Sequence, residues 1–301
     1  MSTPQTAILG PVPNAARFLH FQLTADAATP SGARDAVALV AAMSAELGTN
    51  RVIVGFGEPL VRALGARVHG LRGFPGISGR GVSIPSTQAA LWVAIHGDDD
   101  SSALDRSDRA LAALVRAFTL DEEVGAFVYD GGKDLTGYVD GTENPVEERA
   151  MEVALAVGSA GHAGGSFVAV QRWVHDLPRF RAWPRAHADG VIGRSRETNE
   201  ELAEAPIHAH VKRSAQESFD PPAFMLRRSM PWAWNGRRGL YFIAYGATLD
   251  PFERVLRRMA GLDDEHTDGL FTFSHPETGS YFWCPPLTCA GGPLDLSVLG
   301  G

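Results

Sequence analysis

The sequence predicts an α+β protein made of two ferredoxin-like halves, of the dimeric α+β barrel type, with antiparallel sheets and the helices packed outside them. Three observations predict this class. The first half of the chain alternates strand-type and helix-type segments in the order β-α-β, β-α-β. The second half repeats part of that order, and no low-complexity linker separates the two. We therefore expect a boundary between residues 1–135 and residues 136–301.

Hydrophobic periodicity defines the elements of the first half. In the segment Ala33–Leu47, apolar residues recur at the spacing of one helical face, and Gly48 follows as a stop signal. The same spacing predicts a second helix over residues 104–118. The strand-type segments, which are rich in β-branched, aromatic and other apolar residues, are Ala16–Leu23, Arg51–Gly57, Ala90–His96 and residues 125–130.

The second half contains strands of the same kind and one well-marked helix. Strands are predicted over Gly165–His175, Gly239–Gly246 and Ser280–Cys284. The helix Asp250–Gly261 is predicted with Asp250 as its cap, proline at the first helical position and glutamate three residues after the cap. The two halves are consistent with an ancient duplication.

Composition excludes several classes of protein. The formal net charge is −8 and no long basic run offsets it, which argues against nucleic acid as a partner. No apolar run reaches the roughly 18 residues that a membrane span needs. The N-terminus shows no secretory signal, so we expect a cytoplasmic protein. Two cysteines are too few for a disulfide framework or a cysteine-based metal site.

The stretch "GYVDGTENP", from Gly137 to Pro145, places the carboxylate of Asp140 between two glycines. Glycine, aspartate, threonine and asparagine all form turns, so a solvated turn is one interpretation. The alternative is an active-site loop in which the glycines let the backbone pass close to a ligand. Residues elsewhere in the chain are needed to distinguish the solvated turn from the active-site loop.

Other polar residues stand in surroundings that suggest chemistry. Two histidines, His208 and His210, are two apart in "APIHAHVKRS"; on a strand they would share one face and could hold a hydrolytic zinc ion. Arg227 lies in the apolar surround of "FMLRRSMPW", next to Ser229. A buried arginine must be paired, either with a ligand anion or with a carboxylate such as Asp140.

Six sequence blocks, taken in order, resemble the dye-decolorizing peroxidase family. They are "GYVDGTENP", "GGSFVAVQRWVHDL", "VIGR", "HAHVKR", "LRRS" and "TGSYFWCPP". The family's G-x-x-D-G motif is matched by Gly137, Asp140 and Gly141, and its histidine and arginine by His210 and Arg227. The resemblance covers nearly the whole chain, and the compact loops make it similar to the bacterial B-type group.

The resemblance implies haem b, an iron porphyrin, bound in the C-terminal half. His210 matches the proximal iron ligand, with His208 as a neighbouring alternative. Arg213 is expected to hold a haem propionate. A carboxylate that accepts the other ring N–H of the ligand histidine is also expected, with Asp268 and Glu277 as candidates.

The open face of the haem would be served by three residues. Asp140 is expected to accept and pass on the peroxide proton, and Arg227 to stabilise developing negative charge. Ser229 would orient the peroxide. The cofactor contacts expected from the same blocks are Gly141, Thr142, Glu143, Arg227 and Phe242.

The implied function is a haem-dependent peroxidase that uses hydrogen peroxide to oxidise dyes, phenolic compounds or other aromatic reductants through a ferryl intermediate. A haem- or porphyrin-handling protein with incidental peroxidase activity is one alternative, and a zinc hydrolase built on His208 and His210 is another. The resemblance further implies a homo-oligomer. The short tail "GGPLDLSVLGG" raises the possibility of docking into a protein nanocompartment.

Overall fold

The computed structural model describes residues 2–159 and 161–300. The strands are β1 (Ala15–Leu23), β2 (Val52–Gly57), β3 (Ile77–Gly79), β4 (Val82–Ile84), β5 (Leu91–Gly97), β6 (Phe118–Phe127), β7 (Ser166–His175), β8 (Leu226–Arg227), β9 (Met230–Trp234), β10 (Arg237–Gly246), β11 (Ser274–Pro276) and β12 (Ser280–Cys284). The helices are α1 (Thr6–Leu9), α2 (Pro30–Leu47), α3 (Glu58–Ala63), α4 (Asp100–Leu114), α5 (Glu147–Ala154), α6 (Leu177–Arg181), α7 (Arg185–Ile192), α8 (His210–Arg213) and α9 (Asp250–Met259).

Strands from both halves pair in a closed antiparallel ring. Its order is β7, β12, β2, β5, β1, β6, β9 and β10, after which β10 pairs again with β7. The pairs β12–β2 and β6–β9 join the halves, and the second of these seams is narrow, with Ala126 opposite Trp232. The predicted α+β class with antiparallel pairing is confirmed, and the sheet is barrel-like.

The strand order is the same in the two halves. In the first half the neighbours are β2, β5, β1 and β6, and in the second half they are β9, β10, β7 and β12. When the short strands β3, β4, β8 and β11 are left out and the others are numbered within each half, both orders read second, third, first and fourth strand. The longer connections of the second half, which carry α6, α7, α8 and α9, cover the outer side of β7 and β10.

Side chains alternate between the two faces of the ring because successive residues of a strand point to opposite sides. The enclosed face is filled by large rings, including Phe18, Trp92 and Tyr241. The Tyr241 hydroxyl accepts Trp92 Nε1–H at 2.9 Å and lies 2.6 Å from His20 Nε2, so these buried polar groups satisfy one another. The outer face packs against α2, α4 and α9 in a second apolar cluster.

Element boundaries differ from the predictions by a few residues where caps decide them. Helix α2 begins at Pro30, because the Thr29 side chain accepts the N–H of Gly32. Helix α4 begins at Asp100, earlier than predicted, because Asp99 forms a capping box with Ser102. The predicted cap of the last helix is wrong by one residue, since α9 starts at Asp250 itself.

Two predicted elements are wrong in extent. Phe118, predicted as the last helical residue, is the first residue of β6, which ends at Phe127. The stretch with His208 and His210 is not a strand: His208 lies in a turn and His210 opens the short helix α8. Within the described ranges, no helix is long and apolar enough to cross a membrane.

Candidate active site

A deep cavity lies in the second half of the chain, between the outer face of β7 and β10 and helix α9. It encloses about 1010 Å³ including the solvent at its mouth. Its walls are mainly apolar, since α9 turns one buried face toward it. The lining residues from the strands and α9 are Gln171, Trp173, His175, Leu240, Phe242, Phe252, Val255, Leu256 and Met259.

The loop that carries Asp140 depends on two glycines in the left-handed region. Gly137 has φ 87° and Gly141 has φ 74°. A Cβ at Gly141 would come within 2.8 Å of Asn144 Nδ2, and one at Gly137 would come within 3.3 Å of Arg196 Cδ. Any other residue would therefore be strained in both backbone and contacts. This strain explains why glycine stands on both sides of Asp140.

Asp140 lines the cavity as a carboxylate with little protein contact. Its Oδ1 accepts the N–H of Gly141 at 2.8 Å. Burial raises the pKa of Asp140, and the positive charge of Arg227 offsets part of that rise. No ion pair joins Asp140 to a cation within 4.0 Å among the described residues. The group can therefore exchange a proton with a ligand in the cavity.

Arg227 reaches the cavity from β8, and its backbone is clamped by the same loop. Its N–H donates to Asn144 Oδ1 at 2.9 Å, and Asn144 Nδ2 donates to its carbonyl at 3.0 Å. The side-chain Nε is buried and has no hydrogen-bond partner within residues 2–159 and 161–300. A buried arginine in this state is typical of a site that awaits an anionic or polar ligand.

His210 lines the cavity from the first position of α8. Its Nδ1 donates to Asp268 Oδ2 at 2.8 Å, and Asp268 is almost fully buried. Asp268 also caps the short helical turn after it by accepting the N–H of Leu270. Burial works to lower the pKa of His210, but the charge and hydrogen bond of Asp268 outweigh it and raise the pKa. The ring nitrogen Nε2 is left for a ligand.

The structure selects between the two acids considered for this contact. Asp268 meets His210, whereas Glu277 forms ion pairs with Arg172 and Arg237. His208, the neighbouring alternative ligand, is exposed and does not line the cavity. In the described part of the chain, no group of three or more His, Cys, Asp or Glu could hold a metal ion. The two-histidine zinc site therefore has no structural support.

Several of the expected cofactor contacts are placed elsewhere. Arg213 is 3% exposed, and its two terminal nitrogens donate to both oxygens of Asp264 at 2.5 Å. It does not line the cavity, and a carboxylate of the chain itself, Asp264, takes the place expected for a propionate. Glu143 pairs with Arg194 at 2.7 Å, and Thr142 accepts a long hydrogen bond from Asn199. Phe242 lines the cavity as expected.

A second, smaller cavity meets the first at Asp140 and Arg227, which line both. It encloses about 540 Å³ including open solvent. Ser229 lies in this smaller cavity, together with Gly141 and Asn144. Asp140 and Arg227 are therefore the lining residues that the two cavities share.

Sequence reasoning missed three residues of the site. Asn144, which clamps Arg227, stands inside the quoted motif and was treated only as a turn former. Asp134 and His175 line the cavity and contact each other. His175 lies in a quoted block, so its position was a usable signal; Asp134 precedes the motif and carried none.

The part of the chain that contains this site is similar to known proteins. A family model described as "Dyp-type peroxidase, C-terminal" matches residues 132–289, which include Asp140, His210 and Arg227. The "Dye-decolorizing peroxidase" of Mycolicibacterium paratuberculosis is 31% identical over 243 residues, which cover 78% of this chain and 69% of that protein.

Solved structures share the whole fold. A variant of DypB from Rhodococcus jostii RHA1 in complex with heme is 27% identical, with a TM-score of 0.83 over 93% of this chain and 95% of that chain. The encapsulated DyP-type peroxidase from Mycobacterium smegmatis is 25% identical, with a TM-score of 0.81 over 95% of this chain and 96% of that chain. The resemblance inferred from the six blocks is confirmed: this chain belongs to the dye-decolorizing peroxidase family, a family of haem peroxidases.

Proposed function

We propose that this peroxidase binds haem b in the larger cavity, with Nε2 of His210 as the iron ligand. The observation that carries the proposal is the His210–Asp268 hydrogen bond, which fixes the ring tautomer and leaves Nε2 toward the cavity. The cavity also fits the group chemically. Its walls are apolar, and two of its buried polar atoms, Arg227 Nε and Gln171 Nε2, have no partner among the described residues.

Haem, when bound, supplies the redox chemistry. The chain supplies proton handling. Oδ1 of Asp140 is held by Gly141, which leaves Oδ2 to accept a proton from hydrogen peroxide and return it to the departing oxygen. Such a base contributes about 10²–10⁴-fold to a rate.

Arg227 would stabilise negative charge on the peroxide, because a fixed cation in a water-poor site acts without reorganisation. Its backbone is held by Asn144, so the guanidinium is anchored to the same loop as Asp140. Ser229 lies in the smaller cavity, where its hydroxyl would orient peroxide on its approach. We infer that peroxide uses this smaller cavity, and that dyes, phenolic compounds or other aromatic molecules serve as reductants.

We also interpret the two halves, residues 1–135 and 136–301, as duplicated ferredoxin-like units with haem in the second. The identical strand order of the two halves supports this interpretation. A homo-oligomeric, cytoplasmic protein remains our expectation.

Association with a protein nanocompartment is suggested by the encapsulated relative from Mycobacterium smegmatis. In this chain Leu294 and Leu299 are buried, and Thr3 and Leu287 exchange backbone hydrogen bonds. Docking through the tail would therefore require its release from the body of the protein.

The proposal is tested by reconstituting the purified protein with haem and recording its spectrum before and after one equivalent of hydrogen peroxide. We expect a Soret band that shifts within the mixing time. A protein that takes up no haem would overturn the proposal. A stable haem complex that does not react with peroxide would favour haem handling instead.

A further inference from the structure

Asp134 and His175 line the larger cavity beside Asp140, and the proton transfer described above does not use them. Both side chains are largely buried. His175 lies at the end of β7, where its Nε2 is 3.1 Å from Asp134 Oδ1 and its Nδ1 is 2.7 Å from Ser274 Oγ. The three residues thus form a continuous chain of hydrogen bonds from β11 through β7 to the loop of Asp140.

The direction of these bonds follows from the charge of Asp134. Burial works to raise the pKa of Asp134, but His175 and Thr136 bring it down to about 2, so the carboxylate is ionised and only accepts. Nε2 of His175 must therefore carry the proton that Asp134 accepts. The Ser274 hydroxyl can rotate to donate to Nδ1 or to accept from it, so this contact survives in either charge state of the ring.

Asp134 organises the loop that presents Asp140. Its Oδ2 accepts the N–H of Thr136 at 2.9 Å and the hydroxyl of the same residue at 2.6 Å. Its backbone N–H donates to Tyr138 O at 2.8 Å, and its carbonyl accepts the N–H of Gly137 at 2.8 Å. Three of the five residues between Asp134 and Asp140, namely Thr136, Gly137 and Tyr138, are therefore hydrogen-bonded to Asp134.

We propose that Asp134 and His175 are positioning residues for Asp140: His175, fixed on the barrel, anchors Asp134, and Asp134 closes the loop that holds the Asp140 carboxylate at the cavity. The inference rests on the proposed role of Asp140 as proton acceptor. It adds residues that touch neither peroxide nor the acid–base atoms.

The arrangement has an electrostatic consequence that a purely structural contact would lack. Charged groups that face Asp140 are Arg227 from β8, His210 from α8 and Asp134 from its own loop, and Lys133 and Arg228 line the smaller cavity with it. Burial is the main cause of the raised pKa of Asp140; Asp134 adds to the rise, and Arg227 and His210 oppose it. Removal of the Asp134 charge should therefore lower the pKa of Asp140.

Two substitutions separate geometry from charge. Asp134→Asn keeps an acceptor for Thr136 and can donate to His175 after a change of ring tautomer, but it removes the charge. Asp134→Ala removes both. The matched control is Asp130→Asn, which makes the same charge change at an exposed residue of the neighbouring turn. Each haem-loaded protein is mixed with peroxide, and the rate of the spectral change is measured from acid to neutral pH.

We expect Asp134→Asn to move the acid limb of the profile to lower pH, by on the order of one unit, because Asp140 works as a base only when ionised. Asp134→Ala should lower the rate by about 10²-fold at all pH values, the usual effect of misplacing a catalytic group by about 1 Å. Both should retain haem, and the Asp130→Asn profile should match the parent.

Parent-like profiles for both Asp134 variants would overturn the inference. If Asp134→Ala fails to fold, Asp134→Asn is sufficient as a test: an acid limb at the same pH as in the parent would overturn the inference. Asp140→Ala distinguishes this failure from failure of the proposed function: loss of rate there, with parent-like Asp134 variants, rejects only the positioning role. A parent-like rate in Asp140→Ala rejects the proton-acceptor role itself.

Discussion

The fold treats two of the pairs of charged residues at the cavity in opposite ways. His210 and Asp268 are joined by a 2.8 Å hydrogen bond, and the acid is fully buried behind the histidine. Asp140 and Arg227 line the same cavity with no ion pair between them, and Arg227 Nε has no partner in the described residues. The fold thus joins one pair by a hydrogen bond and leaves the opposite charges of the other pair without an ion pair.

The roles proposed for the two pairs, iron ligation for one and proton transfer for the other, explain this difference. A metal ligand must keep one ring orientation and one tautomer, which a buried carboxylate enforces. A proton acceptor and its neighbouring cation must instead meet a ligand, so pairing them with each other would remove the groups the reaction needs. Two half-buried charges without an ion pair cost stability, as active-site groups commonly do.

The largest effect is expected at the ligand itself. His210→Ala should remove the proposed protein ligand of the iron. Haem affinity should therefore fall by more than about 10–100-fold, which is the cost of losing only a residue that supports a metal ligand. The measurement is the Soret absorbance per protein after reconstitution and desalting. The control is His208→Ala, two residues away and exposed, which should retain haem. The reverse result would assign the ligand to His208.

The next effect is expected at the unpaired acid. Asp140→Ala should reduce the rate of the peroxide reaction by about 10²–10⁴-fold, because the other described carboxylate that lines the cavity, Asp134, is already hydrogen-bonded to His175 and Thr136. Haem content should be unchanged, since Asp140 is not a ligand. Stopped-flow absorbance after peroxide mixing measures the rate. Equal rates in parent and variant would contradict the role of Asp140 as proton acceptor.

A smaller effect is expected behind the histidine. Asp268→Asn should cost about 10–100-fold in haem affinity or activity, because a neutral amide supports the ring less strongly than a carboxylate. Glu277→Gln makes the same kind of change in the other acid considered, which is paired with Arg172 and Arg237. Haem titrations compare the two. A stronger effect of Glu277→Gln would contradict the assignment of Asp268.

The smallest effect is expected at Gly141, in the loop that carries Asp140. Gly141→Ala and Gly131→Ala both place a Cβ at a residue with φ near +74°, which costs about 1–2 kcal/mol in each case. Only the Gly141 methyl group meets another group, Asn144 Nδ2, which clamps Arg227. We therefore expect a lower Tm in both variants and a slower peroxide reaction only in Gly141→Ala. Equal rates would show that the Asn144 clamp does not affect Arg227.

Local patterns predicted the regular elements well and the contacts of single side chains less well. Strand and helix periodicity located β7, β10 and α9, which form one side of the cavity wall. The same reasoning placed His208 and His210 on one strand, but the chain turns at His208 and starts a helix at His210. Two alternating histidines do not distinguish a strand from a turn followed by a helix, because the segment is too short to show a period.

The partners of Arg213 differ from the expected haem propionate for a related reason. Its position three residues after His210, the proposed ligand, suggested a haem contact, but the guanidinium turns away to Asp264 and the carbonyl of Arg258. Those partners lie in and after α9, so only the packing of α8 against α9 decides the direction of the side chain. Asp268 was one of two candidates for the same reason, and the structure selects it.

The sequence by itself was enough to predict the family, the α+β class and three residues that line the cavity, Asp140, His210 and Arg227, because these predictions depend on motifs and periodicities written in neighbouring residues. The tertiary structure alone decided how they are paired. Closure of the ring through β10 and β7 brings the Asp140 loop, β8, α8 and the Asp268 turn to one cavity. Partners distant in the chain meet only after that closure, and their charges act on one another because the site is buried.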